Sequence, residues 1–155
     1  MTQRAAVFVC SFGYLGFFPV APGTVGSLAG LLVYLIFRAT RVPHFELPLI
    51  ALLFGLGIVF GAAAERALGG VDPGPVVIDE VMGMLITFFL IPVSWMGMLA
   101  GFLLFRVFDV IKPYPAQNLE RLPGGLGMMA DDAMAAVYAN LLLHAAYILA
   151  PTFVS

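Results

Sequence analysis

Nine acidic side chains occur in 155 residues, and five of them stand in three short motifs. Asp79 and Glu80 are adjacent in VVIDEVMGM, Asp109 falls in FRVFDVIKPYP, and Asp131 and Asp132 are adjacent in GGLGMMADDAM. Hard carboxylate oxygens suit Mg²⁺, which takes one or two of them and completes its shell with water and phosphate oxygens. Arg106 and Lys112 flank Asp109 at three-residue intervals, so all three share one side of a helix for as long as it lasts. Cations beside carboxylates of this kind could neutralise a phosphate group. Asp109 ends the apolar run MGMLAGFLLFRVF, where a helix macrodipole disfavours a negative charge. Two uses fit it there: an ion pair with Arg106 or Lys112, or binding a cation.

Each motif also has a structural use. One carboxylate near a helix N-terminus caps it or complements its dipole, which leaves the second Asp or Glu of each pair without a task. The stretch GFFPVAPGTVGSLAG (16–30) punctuates with Pro and Gly and then opens an apolar helix. Thr24 or Ser27 could cap it, and its free N–H groups would favour an anion such as phosphate. The alternative is a re-entrant turn whose glycines allow close helix packing. No GK[ST] follows, so it is not a Walker A loop. His44 lies in a loop away from the acidic motifs, and His144 sits mid-helix between leucine and alanine; both read as structural. The sequence has no CX5R loop and no DxDx[TV] motif. A metal-activated water is then the simple remaining route to phosphate hydrolysis.

These motifs need a scaffold, and composition says which kind. The chain is 62% hydrophobic and 10% charged, with a mean hydropathy of +1.05. Soluble domains carry about 25% charged residues, so this chain could not cover a water-facing surface. It reads as one membrane-embedded domain over 1–155. A net charge of −2 without a Lys/Arg cluster argues against nucleic acid. The lone Cys10 excludes an intramolecular disulfide or CxxC site and reads as a packing residue. The N-terminal apolar run has a weak n-region, and Pro22 would follow a cut at Ala21, so it reads as retained rather than as a signal peptide.

Apolar blocks cover roughly 5–18, 26–38, 47–64, 81–91, 94–108 and 132–150. A full crossing takes ~20 residues, which only 47–64 and 132–150 meet comfortably. Pro92 and Trp95 divide 81–108 into two short helices turning at 91–95, and 5–18 reads as interfacial or re-entrant. Of sixteen charged residues, twelve fall in the windows 65–80 and 106–132. Tracing the crossings puts both windows and the 19–27 loop on one membrane face. Arg66, Arg106, Lys112 and Arg121 there outnumber Arg38 and Arg41 opposite, which points that face toward the cytoplasm.

In order and spacing, PVAPGTVGSLAG, DEVMG, FRVFDVIKPYP and GGLGMMADDAMA resemble the signature blocks of the phosphatidylglycerophosphatase A family, over about Gly13 to Tyr138. Tyr114 stands where the family often has Trp. The resemblance implies an all-α, multi-helix integral membrane enzyme of the bacterial inner membrane. It implies Mg²⁺-dependent removal of the terminal phosphate of phosphatidylglycerophosphate, giving phosphatidylglycerol. The family's motif positions fall on Asp79, Glu80, Asp109, Lys112, Asp131 and Asp132. On this basis Asp79, Glu80 and Asp109, with Asp131 or Asp132, are the expected ligands of one or two Mg²⁺, and a remaining carboxylate such as Asp132 is the proton acceptor. Thr24, Ser27, Arg106 and Lys112 are expected to bind the phosphate. Two alternatives stay open: a phosphatase of another phospholipid or an isoprenoid phosphate, and a small ion-coupled transport protein. The second expects charges inside the spans, whereas here they cluster at helix ends.

Overall fold

The computed structural model describes residues 2–40, 45–70 and 72–150, so Arg41 and His44 lie outside the described residues. Among the described residues the architecture is all-α. The helices are α1 (Gln3–Cys10), α2 (Pro22–Thr40), α3 (Glu46–Leu68), α4 (Ile78–Thr87), α5 (Trp95–Ile111), α6 (Ala116–Leu119) and α7 (Gly125–Leu149). Three of them, α2, α3 and α7, are long and apolar enough to cross a membrane. That is one more than the apolar blocks suggested, because α2 begins at Pro22 rather than near 26. Proline is preorganised for a first helical position and loses no hydrogen bond there.

At eight residues α1 rises only about 12 Å and cannot cross a ~30 Å core. It packs on α3 instead, and the Cys10 carbonyl accepts the Val77 N–H at 2.9 Å, which anchors the entry to α4.

The centre of the bundle is α4, ten residues long and buried almost all round among α2, α3, α5 and α7. It spans about 15 Å, half of a bilayer core. Its neighbours approach closely because they present small residues. A Cβ on Gly26 of α2 would lie 2.7 Å from the Val77 Cβ, and one on Gly30 would lie 2.8 Å from the Met84 Cβ. The other side of α2 shows Leu28, Leu32 and Ile36, an apolar stripe at helical spacing exposed for lipid. The same device joins α3 to α7, where a Cβ on Gly61 would meet the Gly125 Cα at 2.5 Å.

The break after α4 comes at Thr87, earlier than the 91–95 turn expected from the sequence. A helix continued through Pro92 would drive its ring into the carbonyl four residues back, at Phe88. Backbone freed at that depth needs partners, since lipid offers none. Asn140 of α7 supplies them, its Nδ2 donating to the Thr87 carbonyl at 3.1 Å and the Phe89 carbonyl at 3.0 Å. Arg38 donates to the Val93 carbonyl, and Ser94 caps α5 by accepting from Gly97 N–H at 3.1 Å.

The last helix starts at Gly125, six residues before Asp131. Neither Asp131 nor Asp132 therefore caps it; both project from its second turn. Nor do Thr24 and Ser27 cap α2, since both lie inside it.

Candidate functional site

Three helices, α4, α5 and α7, bring the acidic motifs together. Asp79 and Glu80 occupy the first turn of α4, where the positive end of the helix dipole favours carboxylates. The Glu80 N–H donates to Asp79 Oδ1 at 3.1 Å. Asp132 reaches them from α7: one carboxylate oxygen from each of Asp79, Glu80 and Asp132 lies within 4.8 Å of the others. Asp79 and Asp132 are each 4% exposed. Three acids so close in a dry site repel one another unless a proton or a cation is shared among them. Glu80 Oε2, Asp132 Oδ2 and the neighbouring Asp131 Oδ1 are buried and have no hydrogen-bond partner in the protein. Three carboxylates this close, two of them with an orphaned buried oxygen, are a donor set a small divalent cation takes.

Beside this triad stands Asp109, in the last turn of α5. Arg106 answers its misfit with the helix dipole, donating from Nη1 to Asp109 Oδ2 at 2.7 Å. The same guanidinium nitrogen lies 3.9 Å from Glu80 Oε1 and 3.4 Å from the Ser27 hydroxyl. Ser27 in turn donates to the Gly23 carbonyl at 2.9 Å. Arg106 thus ties α5 to the first turns of α2 and α4. Gly23 is required for this approach: a Cβ there would lie 2.5 Å from Glu80 Oε1 and 3.0 Å from an Arg106 Nη. Thr24 is next to it, half-buried in the first turn of α2, where N–H groups lack intrahelical acceptors.

The second cation serves the other acid of the pair. Lys112 ends α5 in a left-handed conformation (φ 45°), which is strained for a residue with a Cβ. That bend turns its ammonium to Asp131 of α7, with Glu120 3.3 Å away. Burial alone would lower the Lys112 pKa, but the hydrogen bond and charge of Asp131, with Glu120 and Asp72, outweigh it and raise it. Burial pushes the Asp72 carboxyl up to about 6, Lys112 opposing and Asp131, Asp109 and Glu120 adding to the rise.

The nine residues singled out from the sequence therefore gather at one end of the bundle, in two neighbouring groups. Asp79, Glu80 and Asp132 form the triad, with Asp109, Arg106, Ser27 and Thr24 at its edge; Asp131 is engaged by Lys112. The sequence left Asp131 and Asp132 both open as partners of Asp79 and Glu80; it is Asp132 whose carboxylate oxygen lies within 4.8 Å of theirs, while Asp131 meets Lys112. Adjacent helical residues point about 100° apart, so only one of the pair can face α4. His144 Nδ1 donates to the Asn140 carbonyl, 3.1 Å away on the same helix, apart from the acids. Gly23, Asn140, Asp72 and Glu120 gave no spacing signal. Asn140 did carry one in its type, an amide inside an apolar run.

These features define a helical membrane protein with a buried carboxylate triad at helix ends, flanked by two cations. Over residues 8–147 the chain matches the family model described as Phosphatidylglycerophosphatase A. A Phosphatidylglycerophosphatase A of Haemophilus influenzae is 40% identical over 127 residues, covering 81% of this chain and 78% of the relative. The Escherichia coli Phosphatidylglycerophosphatase A is 36% identical over 135 residues, covering 83% and 76%. A Bacteroides thetaiotaomicron protein described as a candidate phosphatidylinositol-3-phosphatase is 34% identical over 143 residues, covering 84% and 86%. No solved structure matches. The chain belongs to the phosphatidylglycerophosphatase A family, a family of phosphatases.

Proposed function

We propose that the protein hydrolyses phosphatidylglycerophosphate to phosphatidylglycerol and phosphate, with Mg²⁺ held by Asp79, Glu80 and Asp132. The observation that carries this reading is the convergence of three buried carboxylates, two of them with orphaned oxygens, beside Arg106 and Lys112. When bound, the cation supplies positive charge to the phosphate oxygens and acidifies a water. Arg106 reaches the same space from α5, and the first-turn N–H groups of Gly23 and Thr24 add donors for a phosphoryl oxygen. Water attacks phosphorus as the bond to the headgroup glycerol oxygen breaks, and that oxygen takes a proton from solvent water as it leaves. The Asp109–Asp132 carboxyl pair takes the proton of the attacking water, with Arg106 fixing Asp109 for the task. Lys112, backed by the buried Asp131, meets the rest of the headgroup.

The cytoplasmic face of the bacterial inner membrane fits the site end, which carries Arg66, Arg106, Lys112 and Arg121 against Arg38 at the other end of α2. The same chemistry would serve another phosphomonoester headgroup, and the phosphatidylinositol-3-phosphatase description of one relative favours that as the second reading. A single assay separates the two: phosphate release by purified protein from phosphatidylglycerophosphate, phosphatidylinositol 3-phosphate and phosphatidic acid, each with Mg²⁺ or a chelator. The first lipid with Mg²⁺ is the expected substrate. Turnover of phosphatidylinositol 3-phosphate alone would replace the reading with the second, and turnover of none would overturn both.

A further inference from the structure

Between α5 and α7 an apolar groove of about 380 Å³ is lined by Phe108, Pro113, Tyr114, Tyr138, Leu141 and Leu142. Its place follows from helix periodicity. Phe108 and Lys112 stand four residues apart along α5, and Tyr138 and Leu142 follow Asp131 by seven and eleven along α7. Such spacings keep residues on one side of a helix, so the groove runs up to the Lys112–Asp131 ion pair. Its walls are fixed: the Phe108 and Tyr138 rings meet edge-on at 5.5 Å, and the Tyr138 hydroxyl donates to the Tyr114 carbonyl at 3.0 Å. Leu141 and Leu142 are 59% and 47% exposed, leaving the lower groove open to the surrounding lipid. An apolar channel open to the bilayer, with an ammonium at its head and the carboxylate triad beyond, matches an amphiphile with an anionic headgroup.

We propose that this groove holds an acyl chain of the phospholipid substrate, with Lys112 at its mouth facing the headgroup. The assignment rests on the lipid phosphatase reading and adds to it the route by which the headgroup is presented. The chain end lies along Leu141 and Leu142, the glycerol backbone lies beside Tyr114, and the terminal phosphate reaches the triad. Arg106 faces the triad from the other side of α5, so the two cations have separate duties.

Two measurements test this. In the first, Leu142→Trp fills the groove, and kcat/KM is measured on a long-chain substrate and on one with four-carbon chains. The ratio of long-chain to short-chain kcat/KM is expected to fall about tenfold, in line with the worth of one or two buried methylenes. Val59→Trp, on an exposed part of α3, should leave the ratio at the wild-type value. An unchanged ratio for Leu142→Trp would overturn the proposal. In the second, a phospholipid with a photoreactive acyl chain is cross-linked in vesicles. Adducts concentrated on Phe108, Tyr138 and Leu142 support the groove, whereas adducts spread evenly over exposed α2 and α3 overturn it. Wild-type protein inactive on both lipids would sink the phosphatase reading, while the cross-link pattern would still decide the groove.

Discussion

The guanidinium of Arg106 donates to Asp109 at 2.7 Å, one turn further along α5, and the same nitrogen approaches Glu80 of α4 and Ser27 of α2. An aspartate at the C-terminal end of a helix is thereby kept by a neighbour that also gathers the first turns of two other helices. Arg106→Lys keeps the charge but not the planar fork. We expect it to lower kcat/KM by about 10²-fold, on the scale of one lost oxyanion donor. Asp109→Asn should lose at least as much at saturating Mg²⁺. Steady-state phosphate release measures both, and wild-type rates in either variant would remove Arg106 and Asp109 from the chemistry.

Gly23 leaves room for that arrangement. Gly23→Ala puts a methyl 2.5 Å from Glu80 Oε1 and should both misplace Glu80 and destabilise by about 1–3 kcal/mol, as overpacked sites do. Gly55→Ala on α3, where nothing lies within 4 Å, should be neutral or stabilising by up to about 1 kcal/mol. Thermal unfolding in detergent, with activity measured alongside, distinguishes the pair.

Asn140 holds the broken end of α4. Asn140→Ala leaves the Thr87 and Phe89 carbonyls without their side-chain donor, and each buried orphan costs about 1–3 kcal/mol. A lower unfolding temperature with a reduced kcat is expected, because α4 carries Asp79 and Glu80 at its other end. An unchanged unfolding temperature would mean the turn is satisfied some other way.

The triad predicts opposite signs with and without metal. In chelator, Asp132→Asn relieves repulsion among Asp79, Glu80 and Asp132 and should raise the unfolding temperature. In Mg²⁺ the wild type should gain about 2.7 kcal/mol at a hundredfold excess over Kd, and the variant should gain little. A wild type insensitive to Mg²⁺ would contradict the proposed cation site.

Much of this was legible in the sequence because charge is scarce in a bilayer protein. The two charged windows announced a single polar end, and their carboxylates do meet there. The misread boundaries have packing causes. The apolar block began near 132 and Gly125 and Gly127 have low helix propensity, yet Gly125 sits in α7 against Gly61, where close approach outweighs the intrinsic cost. Starting α7 at Gly125 also decides which aspartate faces α4, so the placements of Asp131 and Asp132 could not be separated from spacing alone. The Lys112–Asp131 pair depends on a left-handed bend at a lysine, which no local propensity suggests.

The most direct measurement is phosphate release from phosphatidylglycerophosphate by the purified protein and its Asp132→Asn variant, each assayed in Mg²⁺ and in excess chelator. The account predicts rapid release only from wild type in Mg²⁺, with the other three conditions at least about 10²-fold slower, the scale of losing a metal ligand's contribution. Equal release in chelator, or full activity in Asp132→Asn, would contradict a metal-dependent site built on Asp79, Glu80 and Asp132.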